Sequence, residues 1–174
     1  DQGEFSRLLN NGILDVVENA GDDFPLRQLG LRITKYIFTR RPPMFDENLG
    51  QRILRICRRD IDDYLTKSFD VKWRRRIEMQ MVADLMGAFV GFDEVPYRED
   101  LSLLKRLMDL KFDQEDKLGR NRLRTKSFAA MCAILDWSKR PIRELGSFCQ
   151  YEAGDMYQEL AKYQHRHPDN KSLL

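Results

Sequence analysis

The spacing of apolar residues along the chain predicts a protein built of helices. Apolar side chains recur at intervals of three and four through most of the sequence, which is the pattern of one face of an α-helix. A sustained alternation of apolar and polar residues, which marks a half-buried strand, is nearly absent. We therefore predict an all-α domain of about seven or eight helices joined by short loops.

Cap and breaker residues indicate where several helices begin and end. Asp22 and Asp23 precede Pro25, and an Asp cap with Pro in the first turn is a typical helix start. Pro42 and Pro43 are expected to end that helix, because Pro disfavours helical geometry in the residue before it. Further helices are predicted to start near Ser68, Asn121 and Pro141.

Three segments share a plan of a short apolar helix, a polar turn and a longer amphipathic helix. They are residues 8–38, 49–89 and 101–137. Their apolar positions recur at intervals of about 50 residues. The positions expected to point into the core at equivalent places are Leu29, Ile33 and Ile37, then Ile77, Met81 and Leu85, then Ser127, Met131 and Leu135.

The first segment carries LLNNGILDVV at residues 8–17 and FPLRQLGLR at residues 24–32. An apolar pair, a Gly-Ile turn, a short helix, an acidic loop and a helix opened by Pro or Arg follow one another here, and this order resembles an armadillo repeat. The later segments lack the small turn residue and share only the general plan. The resemblance implies an armadillo/HEAT-like α–α superhelix that binds other proteins and carries no catalytic residue. An irregular helical bundle is the alternative arrangement.

Length and composition fit one globular domain. The 174 residues are 42% hydrophobic and 33% charged, which excludes wholesale disorder. We expect a single helical domain over residues 1–166 and a frayed tail over residues 167–174. No apolar run is long enough for a membrane span, and the start at Asp1 leads us to expect a segment of a longer protein.

Residue types suited to catalysis or metal binding are sparse. The only two His residues lie near the C-terminus, and the three Cys residues are far apart in sequence. A thiol or hydroxyl nucleophile needs a nearby base, and a metal site needs ligands at fixed spacing. We therefore expect no enzyme, no cofactor and no metal. The odd number of Cys residues favours an intracellular compartment, the cytoplasm or the nucleus.

One carboxylate is expected to be buried. In a regular helix Asp60 falls within the arc of Ile53, Ile56 and Tyr64. A buried Asp needs a partner, most plausibly an Arg, so we predict a structural ion pair at this position.

Basic residues, mostly Arg, cluster in three places. The clusters are Arg52, Arg55, Arg58 and Arg59 on one helix, then Lys72, Arg74, Arg75 and Arg76 around Trp73, then Lys117, Arg120, Arg122, Arg124 and Lys126. Arg52, Arg55 and Arg59 are predicted to share a face away from the apolar arc. The clusters fit a solvated face with local ion pairs, an interface for an acidic protein segment, or a nucleic-acid surface. The net charge of +2 argues against a dedicated nucleic-acid binder.

The sequence thus favours a non-enzymatic protein–protein interaction scaffold. Stacked helix pairs leave a groove lined by the second, longer helices, and such a groove holds extended or helical peptides. An RNA- or DNA-binding helical domain is the first alternative. A homodimerisation module using Met156, Tyr157 and Tyr163 is the second. The residues predicted to bind an acidic partner are Arg55, Arg59, Trp73, Arg75, Arg76 and Arg124.

Overall fold

The computed structural model describes residues 2–38, 47–92, 97–110 and 122–140. All regular secondary structure within these ranges is helical, which confirms the all-α prediction. The helices are α1 (Gln2–Asn19), α2 (Phe24–Phe38), α3 (Glu47–Thr66), α4 (Phe69–Ala88), α5 (Tyr97–Met108) and α6 (Arg122–Trp137). The predicted helices after Pro141 and the predicted tail lie outside the described residues, as do Pro42 and Pro43. None of the described helices has an apolar stretch long enough to cross a membrane.

Two helix starts follow the sequence signals. The backbone N–H of Leu26 donates to Asp23 Oδ1 at 3.1 Å, so Asp23 satisfies one of the free donors at the start of α2. Ser68 is the N-cap residue of α4, although its side chain makes no capping hydrogen bond. The Tyr64 hydroxyl at the end of α3 donates to the carbonyl oxygen of Lys72 in α4 at 2.7 Å and stabilises the turn between the two helices.

Each of the three predicted segments corresponds to one pair of packed helices, but the second helix is the longer one only in the third pair, with 16 residues against 12. The pairs are α1 with α2, α3 with α4, and α5 with α6. The second helices of successive pairs also pack together, α2 on α4 and α4 on α6, and the first helices do so as well, α1 on α3 and α3 on α5. Two layers therefore run through the described part of the molecule.

The ion pairs between α2 and α4 show that these two neighbouring second helices run in the same direction. Arg27 in the first turn of α2 contacts Glu78 of α4, and Lys35 further along α2 contacts Asp84 further along α4. Residue numbers rise together across this interface, so α2 and α4 are parallel.

Small residues bring α4 and α6 close together. A Cβ atom at Gly87 would lie 3.1 Å from the Cα atom of Ala130, so only Gly allows this approach without a shift. Beyond the end of α4, Gly91 has a φ of 92° and its Cα lies against the Trp137 indole. Any other residue at Gly91 would meet both backbone strain and the indole ring.

The core was predicted correctly in part. Leu85, Ser127, Met131 and Leu135 are buried, as expected. Ile37 and Met81 are half-buried and pack against the core. The prediction is wrong for Leu29, which is 54% exposed, and for Ile77, which is 39% exposed, while Ile33 is half-buried. The buried faces of α2 and α4 include the charged residues Arg27, Arg75 and Glu78, which an apolar pattern assigns to the surface.

Candidate partner-binding surface

The predicted partner-binding residues lie on three different helices. Arg55 and Arg59 belong to α3, a first-layer helix, and both are exposed. The Arg59 guanidinium reaches Asp60 Oδ1 at 3.3 Å, whereas Arg55 forms no ion pair with any residue in the described ranges. Arg124 lies half-buried on α6. The structure therefore does not gather the six predicted residues into one site.

Arg75 is buried, so the prediction that it faces a partner is wrong. Its side chain is 3% exposed, and its Nε donates to Glu78 Oε2 at 3.1 Å. The guanidinium also reaches Asp63 Oδ2 at 3.3 Å and lies 5.6 Å from the centre of the Phe24 ring. Glu78 stands three residues later on the same helix and neutralises the Arg charge, which lets Arg75 occupy an inward position.

Trp73 and Arg76 are joined to each other. The Arg76 guanidinium carbon lies 3.7 Å from the centre of the Trp73 ring, within cation–π distance, and Arg76 Nη1 donates to the Trp73 carbonyl oxygen at 2.6 Å. Trp73 is half-buried and packs against the core. A partner could therefore reach only the outer part of this stacked pair.

Other arginines of the first cluster connect helix pairs. Arg52 was predicted to face outward with Arg55 and Arg59, but it is half-buried and turned toward α1, where it contacts Asp15 and Glu18. Arg58 donates to both carboxylate oxygens of Asp100 on α5, at 2.7 and 2.9 Å. Much of the Arg charge is therefore neutralised within the chain.

A buried charge cluster of Arg27, Asp60, Arg75 and Glu78 joins α2, α3 and α4. Arg27 Nη2 lies 2.5 Å from Asp60 Oδ2, which confirms the predicted Arg partner of Asp60. Arg27 Nε lies 3.4 Å from Glu78 Oε2, and its Nη1 donates to the carbonyl oxygen of Val17 in α1. Two positive and two negative charges balance inside the cluster. Burial raises the pKa of the Asp60 carboxyl, while Arg27 and Arg59 act against that rise.

The outer sides of α2, α4 and α6 form what we call the second-helix surface. Each helix contributes large exposed apolar side chains: Tyr36 is 62% exposed, Ile77 39% and Trp137 51%. Leu29, which is 54% exposed, stands about two turns before Tyr36 and lies on the same side of α2. Each also contributes one exposed arginine that forms no ion pair with the described residues: Arg32, Arg74 and Arg122. The apolar pattern assigned Ile77 to the core, and no motif of the sequence singled out Tyr36 or Arg32.

A bridge of charges crosses the second-helix surface. Asp84 Oδ2 accepts hydrogen bonds from Lys35 of α2 at 2.5 Å and from Lys126 of α6 at 2.9 Å. One carboxylate of α4 thus ties together all three second helices. Because two cations share this one anion, the bridge adds net positive charge to the surface.

The described residues contain no cluster of potential metal ligands. No group of three or more His, Cys, Asp or Glu residues is placed for metal binding within these ranges. Cys57 and Cys132 are buried free thiols, and Cys149, His165 and His167 lie outside the described residues. Burial raises the pKa of the Cys57 thiol, which keeps it protonated and weakly nucleophilic.

Comparison with known proteins gives no relative for this chain. No family model matches its sequence, no curated protein matches it, and no solved structure matches its fold. Function is therefore argued from the surface itself.

Proposed function

We propose that the chain is a non-enzymatic scaffold of the α-solenoid type that binds an acidic, amphipathic protein segment on its second-helix surface. The observation that carries this proposal is that α2, α4 and α6 each present at least one exposed large apolar residue beside an exposed arginine. Such a scaffold acts inside the cell, in the cytoplasm or the nucleus.

The packing of the helices supports the α-solenoid part of the proposal. Three helix pairs follow one another, and like helices of successive pairs are neighbours. Parallel second helices that pack side by side present one continuous surface. Armadillo- and HEAT-type proteins use such a surface for binding. This arrangement fits the armadillo-like residues in the first segment.

The chemistry of the surface supports the class of partner. Aromatic residues and Arg are the residue types enriched at the centres of protein interfaces. Tyr36 and Ile77 would contact apolar side chains of the partner, and Arg32, Arg74 and Arg122 would pair with its carboxylates. A partner helix with an apolar stripe beside acidic residues matches both requirements.

Nucleic acid is the alternative partner, and the ion pairs weigh against it. Arg52, Arg58 and Arg75 are committed to carboxylates of neighbouring helices. These three of the ten clustered arginines are therefore not available for phosphates, whose neutralisation supplies most of the affinity for nucleic acid.

The test is selection of short peptides from a displayed library, followed by calorimetry with a selected peptide. We expect selected peptides to be rich in Asp, Glu and large apolar residues, with a Kd of about 10⁻⁶ M. Ile77→Glu places an apolar-to-acidic change at the centre of the surface and should weaken binding at least about tenfold.

Leu26→Glu is the matched control, because Leu26 is also 39% exposed but stands about two and a half turns before Lys35 and so points away from α4. It should leave peptide affinity unchanged. A labelled oligonucleotide is titrated in parallel. Oligonucleotide binding that is tighter than peptide binding and falls steeply between about 50 and 200 mM salt would replace the protein partner with nucleic acid.

A further inference from the structure

Asp84 lies on the outward side of α4, in the middle of the second-helix surface. It stands about two turns after Ile77 and about one turn before Ala88, so these three residues follow one side of the helix. Glu78 is the only other charged residue of α4 between Ile77 and Ala88, and it is buried. Asp84 therefore places a single acid on an otherwise uncharged stretch of the helix surface.

Two lysines hold the Asp84 carboxylate from opposite sides. Lys35 Nζ of α2 and Lys126 Nζ of α6 lie 2.5 and 2.9 Å from Asp84 Oδ2. Because both contact the same oxygen atom, the two ammonium groups lie within two hydrogen-bond lengths of each other. The lysine side chains are 43% and 31% exposed, whereas the Asp84 side chain is 17% exposed. The cations are therefore within reach of a partner, and the carboxylate is the more covered group.

Each lysine continues a row of positive charge along its own helix. Arg32 stands three residues before Lys35 on α2, and Arg122 stands four residues before Lys126 on α6. Residues at these spacings are neighbours on a helix surface. Both arginines are exposed and form no ion pair within the described ranges. Two cationic rows thus flank residues 77–88 of α4, one on each side.

We infer, on the basis of the proposed function, that Asp84 is an internal competitor of the acidic partner and occupies the lysine pair until a carboxylate of the bound segment replaces it. An acidic amphipathic helix that runs along α4 sets its apolar stripe on Ile77 and Ala88. Its two acidic edges then meet the two cationic rows. The cations nearest to the centre, Lys35 and Lys126, already hold Asp84, so the two carboxylates compete for them.

This competition determines how acidic a partner has to be. A single carboxylate gains from Lys35 and Lys126 only what Asp84 gives up. A segment with acids along both edges gains the contacts with Arg32 and Arg122 in addition. Asp84 therefore disfavours weakly acidic segments, and specificity arises from the difference between the two affinities. In the unbound protein the Asp84 carboxylate also screens the repulsion between the two neighbouring ammonium groups.

Isothermal titration calorimetry with one designed peptide tests this inference. The probe is a helical peptide of Leu, Ala and Glu in which a Leu stripe runs between two rows of Glu. Titrations are made at about 0.1 M salt, where charges are screened over about 10 Å. Asp84→Asn should bind the probe at least about threefold more tightly than the wild type, because two partly exposed ion pairs no longer compete. Adding Lys35→Gln and Lys126→Gln to Asp84→Asn should remove this gain.

Asp70→Asn is the matched control. It removes the same charge from an exposed residue of α4 that lies about 21 Å from Asp84 along the helix. This variant should bind the probe as the wild type does. An analogue of the probe with Gln in place of Glu should show no difference between the wild type and Asp84→Asn. Circular dichroism verifies that each variant retains its helices.

The outcomes distinguish a failure of this inference from a failure of the proposed function. If neither the wild type nor Asp84→Asn binds the Glu probe, both are wrong. If the wild type binds the probe and Asp84→Asn binds it equally or more weakly, the acidic partner stands and the competition is wrong. An equal gain from Asp70→Asn would also overturn the competition, because net charge alone would then explain the tighter binding.

Discussion

Arg27 of α2 and Asp60 of α3 form an ion pair of 2.5 Å in which the two side chains are only 6% and 4% exposed. The two residues are 33 positions apart in sequence, and their contact fixes the orientation of the first helix pair on the second. Glu78 and Arg75 extend the pair into α4. A buried pair of this kind is costly to break, because the remaining charge loses its partner away from water.

Asp60→Ala should therefore lower the free energy of unfolding by about 3–5 kcal/mol at neutral pH. The variant leaves Arg27 with Glu78 as its only carboxylate among the described residues. Urea unfolding followed by circular dichroism measures the change. Asp62→Ala is the control, since Asp62 is 70% exposed and contacts Arg106 only at 3.4 Å. It should stay within about 0.5 kcal/mol of the wild type, and an equal loss in both variants would contradict the buried-pair account.

Asp60 and Asp63 should affect stability in opposite directions as pH changes. Burial raises the pKa of Asp60 above its ordinary value of 3.8. The folded state then binds this proton more readily than the unfolded chain. The contribution of Asp60 to the free energy of unfolding therefore falls as pH rises from 3.8 through its folded-state pKa. Hydrogen bonds from Lys67, and then Arg75, lower the pKa of Asp63, so its contribution is lost as pH falls below 3.8.

Urea unfolding of the wild type, Asp60→Asn and Asp63→Asn from about pH 3 to about pH 7 separates these contributions. The stability of the wild type relative to Asp60→Asn should fall with rising pH. Its stability relative to Asp63→Asn should rise. If both stability differences changed with pH in the same direction, the two carboxylates would not have the environments described above.

Sequence patterns predicted the helices well, because spacing and caps are local properties. Asp23 and Pro25 marked the start of α2, and the position of Asp60 in an apolar arc predicted a buried ion pair. The surface was harder to predict. Whether Arg75 points inward depends on Asp63, Glu78 and Phe24 around it, and two of these lie on other helices.

The same limit applies to the choice of apolar face in α4. Ile77 has the helical spacing of a core residue, but Met79, Val82 and Met86 take the buried side together with Arg75. When only apolar residues are counted, the predicted buried face of α4 is turned away from the face that also buries charged residues. For this reason the second-helix surface emerged only from the packed structure.

Truncation of two predicted core residues should now give different results. Met131 is fully buried, so Met131→Ala should lower the free energy of unfolding by about 2–5 kcal/mol. Ile77 is partly exposed, so Ile77→Ala should cost less than about 1 kcal/mol. Urea unfolding of both variants verifies the placement. A loss of free energy of unfolding above about 2 kcal/mol for Ile77→Ala would show that Ile77 is a core residue.

The two described cysteines should be unreactive in the folded protein. Cys57 and Cys132 are both 0% exposed, and burial raises the pKa of the Cys57 thiol. A Cys149→Ser variant leaves only these two thiols in the chain. An aromatic disulfide reagent should label neither thiol under native conditions and both in denaturant. Rapid native labelling at an unchanged circular dichroism spectrum would show that this part of the core opens.

The most direct test of the proposed function is the footprint of a bound peptide. Amide and methyl resonances of the chain are followed by NMR while a selected acidic peptide is added. We predict that the largest shifts fall on Tyr36, Ile77 and Trp137 and on their neighbours along α2, α4 and α6. Ile77→Glu should remove those shifts and Leu26→Glu should retain them. A footprint centred on Arg55 and Arg59 of α3, with α2, α4 and α6 unaffected, would contradict the second-helix surface as the binding site.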